Sequence, residues 1–324
     1  MAPVGLIVME QPSNNTIFLH ELQRYGPHAL PGAPPGLQQA RRYCRQLAKR
    51  HYENFTVASW LLPKRLRQHF YNIYAYCRWA DDLADELGEP KQSLEMLEWW
   101  ETLLKECYQG RSTHPVFIAL AETIRTFKIP LDPFVDLLAA FKQDQQVTRY
   151  ETIEDLLGYC RCSANPVGHL VLYVGECFCA ENARLADSIC TGLQLGNFCQ
   201  DIARDWDRGR IYIPQIDCRR FGYTEAMFAR QEYNEAFRGL MQMQVDRAEG
   251  FLRAGLPLVK MVPPQLRLDV ALFVAGGLAI LRAIRRQDYD VWTRRPTVSK
   301  MEKIGLLVGC WWLLKSDREL ASKI

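Results

Sequence analysis

Five polar side chains recur on one helical face of the segment YNIYAYCRWADDLADEL. At steps of three, four, three and four residues, they are Tyr71, Tyr74, Arg78, Asp81 and Asp85. At about 100° per residue these positions fall within one narrow arc of an α-helix. Two carboxylates one turn apart can bind a hard divalent cation, and an arginine one turn earlier can bind the anion that the cation carries. The alternative is a solvated charge cluster in which Arg78 pairs with Asp82.

A second segment, GLQLGNFCQDIARDWDRGRIYIP, carries a matching row inside what reads as one apolar helix. At steps of three, four, four and three residues, its members are Gln194, Asn197, Asp201, Asp205 and Arg208. Burying several carboxylates together without cations is costly because like charges repel each other. The two rows therefore predict facing helices that hold Mg²⁺, with substrate phosphates and water completing its shell. The other interpretation is coincidence on two unrelated surface helices.

The elements that must position these rows are helices. From Leu37 onward, apolar residues recur at spacings of three and four, and Pro or Gly breakers arrive at helix-length intervals. Alternating strand patterns are nearly absent, and no repeat or change of composition divides the chain. The pattern predicts one all-α bundle of roughly ten helices. We expect a Pro/Gly-rich arm over residues 1–38 and the helical domain over residues 39–324.

Composition excludes several other classes of protein. The chain has 324 residues, 48% hydrophobic and 24% charged, which suffices for a substantial core. Its formal net charge of +3 predicts no nucleic-acid partner. Its 11 cysteines are expected to be reduced, buried thiols rather than a metal or redox site. The longest apolar runs are shorter than a membrane span and no secretory leader is recognisable, so we expect a cytoplasmic protein.

The two motifs resemble those of a known enzyme family. RWADDLAD and LQLGNFCQDIARDWDRGRIYIP are similar to the two aspartate-rich motifs of the squalene/phytoene synthase family, and HYENFTVASWLLP resembles its entrance segment. The resemblance extends over nearly all of residues 39–305. It implies an isoprenoid-synthase-type helical bundle with a central cavity. Such enzymes join or rearrange two farnesyl or geranylgeranyl chains by ionising diphosphates on Mg²⁺.

The resemblance also assigns roles to individual residues. The positions that correspond to metal ligands are Asp81, Asp85, Asn197, Asp201 and Asp205. Arg78 and Gln194 correspond to positions that hold diphosphate, and His51 is either a further diphosphate contact or a structural hydrogen-bonding residue. The basic segment with Arg295 and Lys300 either closes over diphosphate, as in the family, or forms a solvated surface that can touch anionic lipid.

The carbocation left by ionisation requires a dry wall of aromatic faces. Candidates for this wall are Tyr71, Tyr74, Phe134, Phe141 and Tyr159. Each of them is individually also explained by core packing. A long apolar pocket between helices would accept the two hydrocarbon tails.

The segment YCRCSANPVG, residues 159–168, indicates which subgroup of the family the chain resembles. Arg161, Ser163 and Asn165 replace the small apolar run that much of the family has there, and Pro166 frees a carbonyl at a helix kink where one water can be held. The alternative is that Ser163 and Asn165 only satisfy that kink. Together with HYENF, this segment resembles the bacterial hydroxysqualene synthases of hopanoid pathways, which convert presqualene diphosphate and water to hydroxysqualene and diphosphate.

This resemblance implies capture of the cation by water, without NADPH. The residues expected to act in catalysis are Tyr74, Tyr159, Arg161, Ser163 and Asn165. Gln200 stands where many relatives carry a basic residue. An enzyme whose substrate has only one diphosphate would tolerate the loss of that positive charge. Presqualene diphosphate synthase, squalene synthase, phytoene synthase and a non-catalytic scaffold remain alternatives. The expected partners are an isoprenoid diphosphate, an enzyme that supplies presqualene diphosphate, and the inner face of the membrane as a peripheral contact.

Overall fold

Helices make up most of the residues that the computed structural model describes, which are 14–30, 32–50 and 63–315. In chain order they are α1 Asn14–Tyr25, α2 Leu37–Arg50, α3 Lys64–Asp85, α4 Pro90–Tyr108, α5 Pro115–Phe127, α6 Asp132–Gln143, α7 Ile153–Ser163, α8 Asn165–Val174, α9 Ala180–Gln200, α10 Ile202–Asp207, α11 Gln215–Phe221, α12 Glu225–Ala229, α13 Glu235–Gly255, α14 Leu258–Met261, α15 Pro264–Arg286 and α16 Lys300–Lys315. Within these ranges, extended pairing amounts to one isolated bridge between Arg149 and Ile211. The prediction of an all-α fold is confirmed.

Proline residues begin several helices, as the spacing of breakers predicted. Pro90, Pro115 and Pro264 are the first residues of α4, α5 and α15. Proline fits the first turn because its missing N–H would have no intrahelical partner there. More helices form than the roughly ten predicted, because several of the helices are short and because the segment with the second polar row, expected as one helix, is interrupted at Asp201. The interruption at Ala164 lies next to Pro166, where the sequence predicted a kink or break.

Part of the predicted arm packs on the core. Asn14–Tyr25 forms α1, a helix that the sequence analysis did not predict. Phe18 on this helix is buried, and its ring lies 5.5 Å from the ring of Trp79 on α3 in an edge-on arrangement. The domain boundary at residue 39 stays a prediction.

Helix α9, which carries part of the second polar row, packs closely on α13. A Cβ atom at Gly192 would lie 2.8 Å from the backbone nitrogen of Leu252 and 3.0 Å from the carbonyl oxygen of Ala248. Only glycine permits this separation of the two backbones. The close approach fixes the position of α9 against the core.

Among the described helices, none is both long enough and apolar enough to cross a bilayer.

His114 caps α5 inside an aromatic cluster. Its Nδ1 accepts a hydrogen bond from the backbone N–H of Val116 at 3.2 Å. Its ring centroid lies 4.7 Å and 4.9 Å from those of Trp79 and Trp100. Burial lowers the pKa of His114 to about 3 because the imidazolium would lose its hydration. The ring is therefore neutral in the folded protein under ordinary conditions.

We expect His114 to make the protein sensitive to acid. The unfolded chain takes up a proton near pH 6.5 that the folded chain refuses, so stability present above this pH is lost as the pH falls towards 3. The loss is up to about 1.4 kcal/mol per pH unit. His114→Asn keeps a capping oxygen without the titration. Urea unfolding at pH 7, 6 and 5 should show a smaller decline for the variant, whereas parallel declines would contradict this account.

Candidate active site

The first polar row lies along α3, one turn apart at Asp81 and Asp85. Arg78 Nη1 donates to Asp81 Oδ2 at 3.0 Å, and Arg78 Nη2 donates to Asp82. Asp82 is only 5% exposed, whereas the side chain of Asp81 is 44% exposed, so the cluster runs from the core to the surface. Arg78 thus forms the ion pair with Asp82 that was predicted for a surface charge cluster. It also contacts Asp81 of the polar row.

The second row crosses a break in the helix. Asn197 lies near the end of α9, Asp201 lies at the break with φ −109° and ψ 16°, and Asp205 lies on α10. The N–H of Asp201 donates to the carbonyl of Asn197 and that of Asp205 to the carbonyl of Asp201, each at 2.9 Å. The prediction of one continuous helix was wrong. Both hydrogen bonds nevertheless join residues four apart, as in an α-helix, so the row stays on one side of the segment.

The two rows are connected by arginines. Arg208 Nη1, from the second row, lies 3.1 Å from Asp85 Oδ2 of the first row. Arg210 Nη2 lies 3.6 Å from Asp85 Oδ1. The structure therefore brings the two rows together across the bundle, although they are distant in the sequence.

Burial and nearby negative charge raise the pKa values of two acids, one from each row. The pKa of Asp205 is raised to about 7, chiefly by burial and also by the nearby charge of Asp201, while Arg208 opposes the shift. Burial also raises the pKa of Asp81, with Arg78 lowering it and Asp85 raising it. A group of acids crowded in a poorly hydrated space is stabilised by cations. Arginines supply that charge in the structure.

Asp144 joins the site through contacts that the sequence analysis missed. Tyr159 donates its hydroxyl to Asp144 Oδ2 at 2.8 Å, and Tyr212 lies 3.4 Å from Asp144 Oδ1. Burial raises the pKa of Asp144 to about 6, and the charge of Arg210 opposes this shift. Arg210 and Tyr212 stand in the second motif and could have been found there. Asp144, on the loop after α6, belongs to no repeated spacing.

An aromatic wall surrounds this carboxylate. Its rings belong to Tyr150, Tyr159, Phe198 and Tyr212. Phe198 and Tyr212 stack with their centroids 4.0 Å apart. Of the other predicted aromatic residues, Phe134 is fully buried against Tyr76, with centroids 5.1 Å apart, so the core-packing interpretation applies to it.

The residues predicted for catalysis lie in different environments. Tyr74 on α3 is half-buried, and burial raises its pKa to about 12. Asn165 is 6% exposed and accepts a hydrogen bond from the Thr191 hydroxyl at 3.0 Å. The Ser163 hydroxyl is buried and has no hydrogen-bond partner among the described residues. Arg161 is exposed, because it lies two residues from both Tyr159 and Ser163 and so points to the opposite side of α7. The structure does not bring it to the buried site.

The residues predicted to contact diphosphate also lie in different parts of the structure. Arg295 contacts Asp201 with two nitrogens, with Nη2 2.9 Å from Oδ2. Gln200 is buried and donates to the Pro296 carbonyl at 2.6 Å, which ties the basic segment to the second row. Lys300 is exposed at the first residue of α16. His51 lies outside the described residues.

Two adjoining cavities lie beside the second row, between α9, α15 and the start of α16. Their volumes are about 350 Å³ and 420 Å³, within the range of ligand pockets. Residues that line both are Gln200, Leu272, Phe273, Gly276 and Ile280. Arg295 lines the first cavity, while Gln194 and Asn197 line the second. A hydrocarbon chain can therefore lie next to the polar row.

The donor chemistry of the rows fits Mg²⁺. Over the described ranges, no three carboxylate, imidazole or thiol groups converge into a complete metal site made by protein alone. Mg²⁺ does not need one, since it is commonly bound by one or two carboxylates together with phosphates and water. The crowded, destabilised carboxylates Asp81 and Asp205 provide such ligands. The site suits a cation that arrives with a diphosphate.

Comparisons with known proteins show the family to which the chain belongs. The family model described as squalene/phytoene synthase matches residues 48–302. The chain is 30% identical over 276 residues to a phytoene synthase from Arthrospira platensis, covering 81% of this chain and 89% of that protein. It is also 30% identical over 305 residues to a 15-cis-phytoene synthase from Synechocystis sp., covering 90% of this chain and 89% of that protein.

Two solved structures share the fold. Squalene synthase HpnC from Alicyclobacillus acidocaldarius is similar with 43% identity and a TM-score of 0.75, over 78% of this chain and 95% of that chain. A dehydrosqualene synthase in complex with ligand is similar with 28% identity and a TM-score of 0.79, over 86% of this chain and 98% of that chain. From its motifs, fold and relatives, the chain belongs to the squalene/phytoene synthase family of isoprenoid synthases.

Proposed function

We propose that this isoprenoid synthase converts presqualene diphosphate and water to hydroxysqualene and diphosphate in the presence of Mg²⁺. The carbon–oxygen bond to diphosphate breaks, the cyclopropane opens to an allylic cation, and water supplies the hydroxyl. Mg²⁺ would stabilise the charge of the departing diphosphate. The facing rows, joined through Asp85, support the diphosphate part of this proposal.

The observation that carries the choice of substrate is the environment of Gln200. This side chain is buried, uncharged and bound to the Pro296 carbonyl, so it offers no cation to a second diphosphate. Condensation of two diphosphate substrates requires charge compensation for both, whereas presqualene diphosphate carries one. The 43% identity with squalene synthase HpnC supports a product of the squalene type over phytoene.

Each part of the site has a distinct role in this proposal. The residues that would hold Mg²⁺ are Asp81, Asp85, Asn197, Asp201 and Asp205. Arg78, Gln194, Arg295 and Lys300 would bind diphosphate oxygens. The rings of Tyr74 and Tyr159 would face the cation and help exclude bulk water. No nicotinamide is required, since water replaces hydride.

The peripheral membrane contact expected from the sequence also stays a proposal. Helix α16 exposes Met301, Ile304, Val308, Trp311 and Trp312. Lys300, Lys303 and Lys315 lie on the same helix, and apolar and aromatic side chains with lysines suit an anionic lipid surface. A substrate with long hydrocarbon tails partitions into membranes, so a supplying enzyme at the inner face would deliver it there.

The product made from presqualene diphosphate tests the proposed function. We expect hydroxysqualene and one diphosphate, dependent on Mg²⁺ and unchanged by NADPH. Squalene formed only with NADPH would contradict water capture, and phytoene formed from geranylgeranyl diphosphate would favour phytoene synthase. Presqualene diphosphate as the end product from farnesyl diphosphate would favour the condensing enzyme. If calorimetry detects no binding of Mg²⁺ with diphosphate, the scaffold alternative is favoured.

A further inference from the structure

Asp269 on α15 is a buried carboxylate that the proposed roles leave unused. It is 4% exposed, and neither of its oxygens has a hydrogen-bond partner among the described residues. Burying a carboxylate without hydrogen bonds is expensive, so an unsatisfied one in a folded protein calls for an explanation. No motif in the sequence singles it out.

Asp269 lines the cavity of about 350 Å³ next to the second row, and its two carboxylate oxygens are almost entirely covered by the cavity wall. Most of the surrounding wall is apolar, formed by Leu272, Phe273, Ile280, Val298 and Leu306. Arg295 and Lys303 line the same cavity, but neither is a hydrogen-bond partner of Asp269. Asp269 therefore places an acceptor without a hydrogen-bond partner among the described residues in the wall of a space where a hydrocarbon cation would otherwise meet carbon atoms.

We propose that Asp269 binds the water that captures the carbocation and accepts its proton. This inference rests on the proposed hydroxysqualene reaction. The water oxygen forms the new carbon–oxygen bond with the allylic cation, its O–H bond breaks, and the proton passes to the Asp269 carboxylate. Diphosphate has already left with the electron pair of its bond to carbon. The proton later passes from Asp269 to solvent, which restores the carboxylate.

The affinity of Asp269 for a proton suits this step. Burial raises its pKa to about 7, so near neutral pH the group can take up a proton and release it again. Ser163 and Asn165, which the sequence analysis favoured for water, are less suitable. The Asn165 oxygen already accepts a bond from Thr191, and the Ser163 hydroxyl is a far weaker base. Asp269 is then a catalytic residue, because it touches the reacting water.

The test measures ionisation and water capture separately. Wild type and Asp269→Asn are incubated with presqualene diphosphate and Mg²⁺, with diphosphate release and the product mixture quantified for each. We expect Asp269→Asn to release diphosphate within about threefold of the wild-type rate, while the ratio of hydroxysqualene to other C30 products falls about 10²-fold, the low side of a typical general-base contribution. Asp269→Leu, of similar volume, should behave alike.

A matched control is Asp217→Asn. Asp217 is also buried, at 7% exposure, but it accepts bonds from Gln244 and Arg247 and does not line the cavity. We expect its product ratio to equal that of wild type, even if its melting temperature falls.

The outcomes separate the two proposals. If wild type forms no hydroxysqualene, the proposed function is overturned. If wild type forms it and both folded Asp269 variants keep the same product ratio, the role of Asp269 is overturned while the proposed function stands. Both variants should remain folded, because removing an unpaired buried charge does not remove a stabilising contact. If both lower diphosphate release and hydroxysqualene in equal proportion, Asp269 acts before water capture and the proposal is wrong.

Discussion

Asp85→Asn and Asp205→Asn are each expected to slow Mg²⁺-dependent diphosphate release by about 10²- to 10³-fold. Each substitution removes one carboxylate from one of the facing rows, so a diphosphate would be left with incomplete charge compensation. The amide keeps the size and shape of the side chain, so the loss reports charge rather than packing. Single-turnover assays over a range of Mg²⁺ concentrations should show both a lower maximal rate and a higher Mg²⁺ requirement.

Asp207→Asn is the matched control for this pair. Asp207 lies on α10 two residues after Asp205, but it is exposed and lies outside the row. Its substitution should change the rate by less than about twofold, since surface charges contribute little. Equal losses in all three variants would contradict a localised metal site, and full activity in Asp85→Asn would remove the first row from the mechanism.

Arg78→Gln is expected to lower the free energy of unfolding by about 3 kcal/mol, because it strands the buried Asp82 carboxylate. Burial raises the pKa of Asp82 to about 7, and the neighbouring guanidinium opposes that rise. Without Arg78, Asp82 must become protonated or remain as an uncompensated charge. Denaturant unfolding at pH 8, where the carboxylate is harder to protonate, should give a larger loss than at pH 6.

The double variant Arg78→Gln/Asp82→Asn separates stability from diphosphate binding. Replacing both charges should restore most of the lost stability, since the buried carboxylate is gone. Activity should stay low if Arg78 also binds diphosphate, and KM for the diphosphate substrate should rise. Recovery of wild-type activity in the double variant would assign Arg78 a structural role alone.

Much of the site could be predicted from the sequence because helical spacing is a strong geometric constraint. Asp81 and Asp85 share a face by their separation alone, and so do Asn197 and Asp201. Proline positions predicted where helices begin. The same periodicity argued against Arg161, which lies two residues from Tyr159 and so cannot share its side of α7. That conflict was visible in the sequence before any coordinates.

Other members of the site depend on tertiary contacts that no local pattern encodes. Asp144 meets Tyr159 and Tyr212 only because α6, α7 and the segment after α10 are packed together. Asp269 is a single acid in an apolar helix, and its lack of a partner is visible only when the surrounding wall is known. Sequence spacing predicts which residues share an element, but it does not predict which elements share a cavity.

The ion pairs of Arg208 and Arg295 affect how metal and diphosphate would bind to the site. Each guanidinium contacts an acid of the rows, Asp85 for the former and Asp201 for the latter. These side chains act as internal counter-ions that reduce the repulsion between the acids of the rows. If a metal and its anion bound together, the acids would exchange guanidinium for metal while the guanidinium groups would exchange carboxylate for phosphate. Such an exchange would replace each ionic contact by another, whereas entry of metal without anion would leave displaced arginines next to an added positive charge.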